Sequence, residues 1–451
     1  MKAGVAAGHP ATCAAGIEIL EDGGSAADAA VAAGLASCVA ETVMTGLLGG
    51  GHGIYWDAGS KQARNLDCFV AVPSRTGAQM VELAVPFGEE LVHYAIGAAS
   101  CGVPGVAAGL AELWRAHGRL PWERLVEPAL RLARDGVPMT LAHALCLEML
   151  EPVLTLDAGA RIYSPGGKLL RDGELLQQPG LVCTLELLRE EGAESFYTGT
   201  IAETLLTLCA ERGGTITRRD LEAYSATWSE PVEVAFAGTR FLTRAGLSGV
   251  PQTLASLPPS PDLVALVEAL DLPIDADGDT TNLVSVDADG NVCVLTTSLG
   301  LGSGDYLPGL DLHLNSMLGE ADLVRGEVRP ATRMRSMMAP SIAVVEDVPV
   351  LAIGAAGGTR LRTALVGVTS AILERDIHPQ HAVDAGRAHP VGGIVHAEPG
   401  VPEDSLAELE RRGRRVRRWP ARHHYFGGVS AIGLSGGAAD PRRSGAARSV
   451  A

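Results

Sequence analysis

Strand-forming sequence occurs in two groups, one near residues 50 to 70 and one beyond residue 280, separated by a long helical stretch. Neither group has enough strands to bury its own faces, so both must contribute to a common core. With 451 residues the chain exceeds a single core of typical size, and two packed units or one large layered structure are expected. Its 47% hydrophobic and 20% charged residues exclude a disordered chain. A formal charge of −17 argues against nucleic acid or an anionic membrane as the main partner.

The pattern from Ala11 to Leu20 is helical and stops at Gly23-Gly24. Ser25 then caps a second helix, with Asp28 in a capping-box place. The apolar stretch Ala26 to Gly51 is interrupted by Asp28 and Glu41, and its Ala/Gly richness marks a buried core helix rather than a membrane span. In the triplet Gly49-Gly50-Gly51 the backbone must approach something closely. A hairpin is expected around Asp57-Ala58-Gly59, mostly helix from 104 to 216, and an exposed loop from about Arg244 to Asp279. Two more hairpins follow, turning at Asp289-Gly290 and Glu346-Asp347. The second runs through Gly354-Ala355-Ala356-Gly357-Gly358 into a helix from Thr359 to about Glu374. Pro402 to Arg412 reads as a last helix, and the Arg-rich tail after Asp440 as frayed.

The eight cysteines form no Cys-x-x-Cys pair, which suits buried thiols in a reducing, cytoplasmic setting and gives no metal site. No phosphate loop or dinucleotide fingerprint stands out, and no cofactor is implied. His423-His424 reads as surface and the run Arg411 to Arg418 as a solvated helix end. The hairpin around Asp289-Gly290 carries more. With those two residues as its turn, Thr281 lies opposite Ser298, and Thr280, Thr281, Thr296, Thr297 and Ser298 gather hydroxyls at its open end. Taken alone, such a cluster is ordinary sheet chemistry.

The segment Asp279-Thr280-Thr281-Asn282-Leu283-Val284-Ser285-Val286-Asp287-Ala288-Asp289-Gly290-Asn291 resembles the motif that opens the small subunit of γ-glutamyltranspeptidases. The likeness extends through His9-Pro10 to Ala30, Gly46 to Gly53, Val103-Pro104-Gly105, Gly118 to Trp122 and Gly354 to Gly358. It implies an α+β, four-layer αββα sandwich of the N-terminal-nucleophile hydrolase kind, its two central sheets mainly antiparallel. Residues 1–279 would correspond to the large subunit and 280–451 to the small one, intertwined as one unit after the chain cuts itself between Asp279 and Thr280. Thr280 would be the nucleophile, with its new α-amine (pKa near 7.7 to 8.0) as base. Ser298 would orient it, and the N–H groups of Gly357 and Gly358 would hold the oxyanion. The implied partners are a small-molecule substrate and the two fragments of the chain itself; homo-oligomerisation is left open.

Departures from the family concentrate where substrate binds. Phe69 stands where members hold a carboxylate with Arg, Gly300 replaces an Asn, and Met317 and Glu320 fall in a stretch that grips the α-amine. Ser336-Met337 replaces a Ser-Ser pair. The helical region before the processing site is largely missing, which either opens the site to a larger substrate or impairs processing. The expectation is a self-processing hydrolase or acyltransferase of altered specificity in specialised metabolism, with hydrolysis of C–C bonds beside carbonyls within its reach. Its alternatives are an ordinary γ-glutamyltransferase or glutathione hydrolase and an inactive binding protein on the same fold.

Overall fold

The structure is a computed structural model that describes residues 1–87, 90–271, 280–321, 323–324, 328–358 and 360–450. Two antiparallel sheets lie at its centre. The first has strands in the order Ala446–Ser449, Gly4–Ala7, Thr281–Val286, Val292–Ser298, Gly50–Asp57, Gln62–Cys68 and Thr227–Ser229. The second has Gly436–Ala439, Gly428–Gly433, Val348–Ala356, Ser341–Val345, Thr239–Thr243 and Val232–Phe236. Each sheet mixes strands from before and after residue 280, as the shortage of strands in either group requires.

Two-residue alternation divides the side chains between three apolar layers. Leu283, Cys293 and Leu295 face the helices Pro10–Glu21, Ala26–Ala40 and Val106–His117. Val284, Val286, Val292 and Val294 meet Leu242, Ile342, Val344, Ala352 and Ile432 between the sheets. On the far side Leu351 and Ile353 pack on the helix Arg360–Arg375 through Leu361 and Leu365. The result is the four-layer αββα sandwich. Each large apolar side chain so buried contributes roughly 1.5 to 3 kcal/mol.

Every residue of the helix Ala26–Ala40 is buried, because its small side chains let the sheet and three other helices close around it. Ser25 and Asp28 form the expected capping box. The Gly49–Gly51 triplet lies tight against other backbone: a Cβ at Gly49 would stand 2.1 Å from the Ser298 carbonyl oxygen, and one at Gly50 2.6 Å from the Val70 nitrogen. Alanine cannot occupy either place without moving a strand.

Four expectations are corrected. The hairpin after Thr281 has a three-residue loop, not a two-residue one. Gly290 occupies the left-handed region at φ +86°, and Asp287 Oδ1 accepts from the N–H groups of Asp289 and Asn291. Thr281 therefore pairs with Thr297, and one step further along the ladder Thr280 stands level with Ser298. The stretch after Arg244 is not simply a loop, since Val250–Ser256 and Leu263–Leu270 are helices whose apolar faces are buried; its acidic end, 272–279, lies outside the described residues. The C-terminal tail is not frayed: Ala446–Ser449 pairs with Gly4–Ala7, and Arg442 and Arg443 are buried. His424 is buried rather than on the surface, and Arg415–Arg418 is a strand. Among the described residues no helix is long and apolar enough to cross a membrane.

Candidate active site

Thr280 immediately precedes the strand Thr281–Val286 and is 3% exposed. The Gly357 N–H donates to its Oγ1 at 3.1 Å. Gly357 comes directly after the strand Val348–Ala356 of the other sheet, at φ +123°, and Gly358 follows at φ +60°. Only glycine holds both conformations cheaply. A Cβ on Gly357 would also meet the Gly427 Cα at 2.6 Å. The helix that follows closes on them, with Arg360 N–H donating to the Gly357 carbonyl at 3.1 Å. A backbone donor is thus fixed beside a hydroxyl, with a helix N-terminus behind it. Thr359 and Asp279 lie outside the described residues.

The neighbouring hydroxyls are committed elsewhere. Thr281 Oγ1 donates to Glu41 Oε2 at 2.5 Å, and Thr12 Oγ1 donates to Glu41 Oε1 at 2.6 Å. Thr45 Oγ1 donates to Thr297 Oγ1 at 2.8 Å, and Asn282 Nδ2 to Thr296 Oγ1 at 3.0 Å. A small cavity behind Thr280 is lined by Glu41, Met44, His143, Asn282, Ser430 and Arg443, among others. Burial raises the pKa of Glu41, against the pull of its two hydroxyl donors and Arg443. Burial likewise drives His143 well below the usual imidazole value, helped by His9 and Arg443. His143 Nε2 stands 4.0 Å from Glu41 Oε2, but both groups are pushed towards their neutral forms.

Ser298 Oγ accepts from the Gly300 N–H at 2.9 Å. Gly300, at φ +68°, faces a carboxylate: a Cβ there would stand 2.1 Å from Glu320 Oε1 and 2.6 Å from Ser316 Oγ. Ser298, Gly300 and Glu320 therefore form one contiguous group. Phe69, Met317 and Met337 form another, buried in an apolar cluster with Val70, Val72, Leu247, Met334 and Met338. Ser336 flanks it, its Oγ accepting from the Met338 N–H at 3.2 Å. Neither Phe69 nor the two methionines line the small cavity behind Thr280.

Three residues at this end of the molecule escaped the sequence reading. Glu41 was visible as a charge in an apolar run, though nothing in the spacing tied it to Thr281. Arg443 fell in a tail with no strand signal. Arg244, at the exit of the strand Thr239–Thr243, stands by the apolar cluster and donates through Nη1 to the carbonyls of Ser336 at 3.1 Å and Met338 at 3.3 Å.

Residues 12–258 and 259–450 match the family model described as gamma-glutamyltranspeptidase. Over 539 aligned residues the chain is 26% identical to the glutathione hydrolase proenzyme of Bacillus subtilis strain 168, covering 98% of this chain and 90% of that protein. It is 27% identical to the acylase ACY 1 proenzyme of Pseudomonas sp. strain V22, over 96% of this chain and 89% of the other. In fold it is similar to the crystal structure of cephalosporin acylase from Bacillus halodurans, with a TM-score of 0.85 at 23% identity and 99% and 96% of the two chains covered.

Proposed function

Because this chain belongs to the gamma-glutamyltranspeptidase family and is an N-terminal-nucleophile hydrolase, we propose that it cuts itself before Thr280 and uses the freed Thr280 to transfer an acyl group other than free γ-glutamyl. The observation that carries this is the Gly357 N–H fixed 3.1 Å from the hydroxyl oxygen of a buried Thr280. In processing, the hydroxyl attacks the preceding carbonyl, the peptide nitrogen becomes the α-amine, and water hydrolyses the resulting ester. In turnover that amine takes the hydroxyl proton as the oxygen attacks the substrate carbonyl. The negative charge gathers against Gly357 and Gly358, and the proton passes to the leaving group. Water or an amine then releases the acyl group, and Ser298, level with Thr280 on the next strand, orients the nucleophile. With a carbon leaving group stable enough to accept the proton, the same sequence hydrolyses a C–C bond beside a carbonyl.

The substrate side supports altered specificity. A glutamyl head group would set its carboxylate against Phe69, and of the family's grip on its amine only the Glu320 carboxylate remains beside Gly300 and Met317. We accordingly place the enzyme in specialised metabolism, in the cytoplasm, with a small-molecule substrate. Gamma-glutamyl 4-nitroanilide is expected to release nitroaniline slowly, and Phe69→Arg to raise that rate only slightly, since a guanidinium there enters an apolar cluster. Restoring Arg, Asn and Gln at 69, 300 and 317 together is expected to exceed the sum of the single changes, because the groups act on one ligand. Rapid γ-glutamyl turnover by the unaltered protein would overturn the altered pocket and favour glutathione hydrolysis, the activity named for the Bacillus subtilis relative.

A further inference from the structure

The last two strands belong to different sheets, Gly436–Ala439 to the second and Ala446–Ser449 to the first. The link between them therefore crosses from one sheet to the other. It crosses at the end where Thr280 stands, since Ala7 pairs with Ala446 on one side and on the other with Leu283, three residues after Thr280. Arg443 lies in this link and is 6% exposed. Two glycines locate its guanidinium: a Cβ at Gly357 would stand 3.3 Å from Nη2, and one at Gly428 3.2 Å from Nε. Nη1 lies 3.4 Å from the Met44 sulfur. Gly357 is also the residue whose N–H reaches Thr280 Oγ1 at 3.1 Å, so ordinary bond lengths put the cation within about 9 Å of that oxygen. Arg443 and Thr280 line the same small cavity, where little water screens one from the other.

The other titratable groups on that cavity, among the described residues, are Glu41, His143 and Asp440. Burial pushes Glu41 and His143 towards their neutral forms, and holds His9, beside the His143 ring, down to about 4. Asp440 keeps its charge, but it and Glu398 are matched by Arg387 and Arg442 in one buried network. On the far side of Gly427, burial drives His424 well below the usual imidazole value, with His423, Arg443 and Arg360 adding to the effect. Arg360 itself is turned to the Tyr425 carbonyl and ring. Counted with the network, the groups on the cavity carry a net positive charge, and Arg443 supplies it.

We propose that Arg443 keeps the α-amine of processed Thr280 in its base form at neutral pH, acting through its charge across the cavity. A cation nearby disfavours a second one, so the ammonium is the form it destabilises. At a separation of about 9 to 12 Å and an effective dielectric constant of about 20, the effect is on the order of one pH unit. An ordinary α-amine, titrating near 7.7 to 8.0, is mostly protonated at neutral pH and cannot then accept the hydroxyl proton. Lowered by about one pH unit, roughly half of it is free. Arg443 touches neither substrate nor reacting atoms and works only through the Thr280 amine. It is a positioning residue for the proton.

This role rests on the acyl-transfer reading above, and the test separates the two. Protein whose small fragment begins at Thr280 is treated with fluorodinitrobenzene across the pH range in which amines titrate. Arylation of the peptide that starts at Thr280 is followed by mass spectrometry, and since only the free amine reacts, the midpoint reports its protonation. In the unaltered protein the midpoint is expected below the ordinary 7.7 to 8.0. Arg443→Gln should raise it by about one pH unit, and Arg443→Lys, which keeps the charge without the guanidinium's shape, should bring it back. A merely structural Arg443 would make the two variants move the midpoint alike. That result, a low midpoint unmoved in Arg443→Gln, or an ordinary midpoint in the unaltered protein would overturn the proposal. Should neither variant process, the midpoint of the unaltered protein decides. A chain that is never cut before Thr280 would instead overturn the reading on which the proposal rests.

Discussion

Thr280→Ala is expected to leave one uncut chain with no acyl-transfer activity, a loss on the order of a millionfold when a covalent nucleophile is removed. No neighbour can substitute. Thr281 is adjacent, but its hydroxyl is held by Glu41 at 2.5 Å, and alternation along the strand turns it to the other face. Thr297 is bonded to Thr45, and Ser298 has its own backbone donor in Gly300. Thr280→Ser keeps the hydroxyl and is expected to process and turn over. Gel analysis and intact mass of the two variants check this. Cleavage persisting in Thr280→Ala would point to an external protease.

The second large effect is on stability. Arg442, Glu398, Asp440 and Arg387 form a buried network at the C-terminal end. Arg442 Nε donates to Glu398 Oε1 at 2.9 Å, and its Nη1 to Asp440 Oδ1 at 3.1 Å. Arg442→Met would leave two buried carboxylates sharing one remaining arginine, at a cost of about 3 to 5 kcal/mol. Chemical denaturation with an unchanged slope should read it. The network also has a pH signature. Burial alone would raise the Asp440 pKa, but Arg387 and Arg442 outweigh it and hold it below the ordinary 3.8. Stabilisation from Asp440 is therefore full above that ordinary value and disappears as pH falls through the lower folded one. Equal melting temperatures for Arg442→Met and the unaltered protein would contradict this account.

The layered fold was legible because two signals agreed: too few strands in either group to form a core alone, and a continuous series of motifs on both sides of residue 280. Short strands at a sheet edge, such as Val232–Phe236, where only Phe236 is fully buried, left little trace. The tail strand Ala446–Ser449 was hidden for another reason: it is stabilised by pairing with Gly4–Ala7, which no local pattern reveals. The site divides in the same way. Thr280, Ser298, Gly357 and Gly358 stand in recognisable motifs, yet the register that brings Thr280 level with Ser298 depended on whether the loop holds two residues or three. The left-handed Gly290 and the Asp287 side chain decide that. Arg244 could not be found from spacing, since a strand crossing in the second sheet, not sequence proximity, carries it to the Phe69 region.

The account stands on Thr280 becoming a new N-terminus. Intact-mass and N-terminal analysis of the purified, unaltered protein tests this directly. Two fragments are predicted, held together in solution, the smaller beginning at Thr280. A single uncut chain, or a fragment beginning at any other residue, would contradict it.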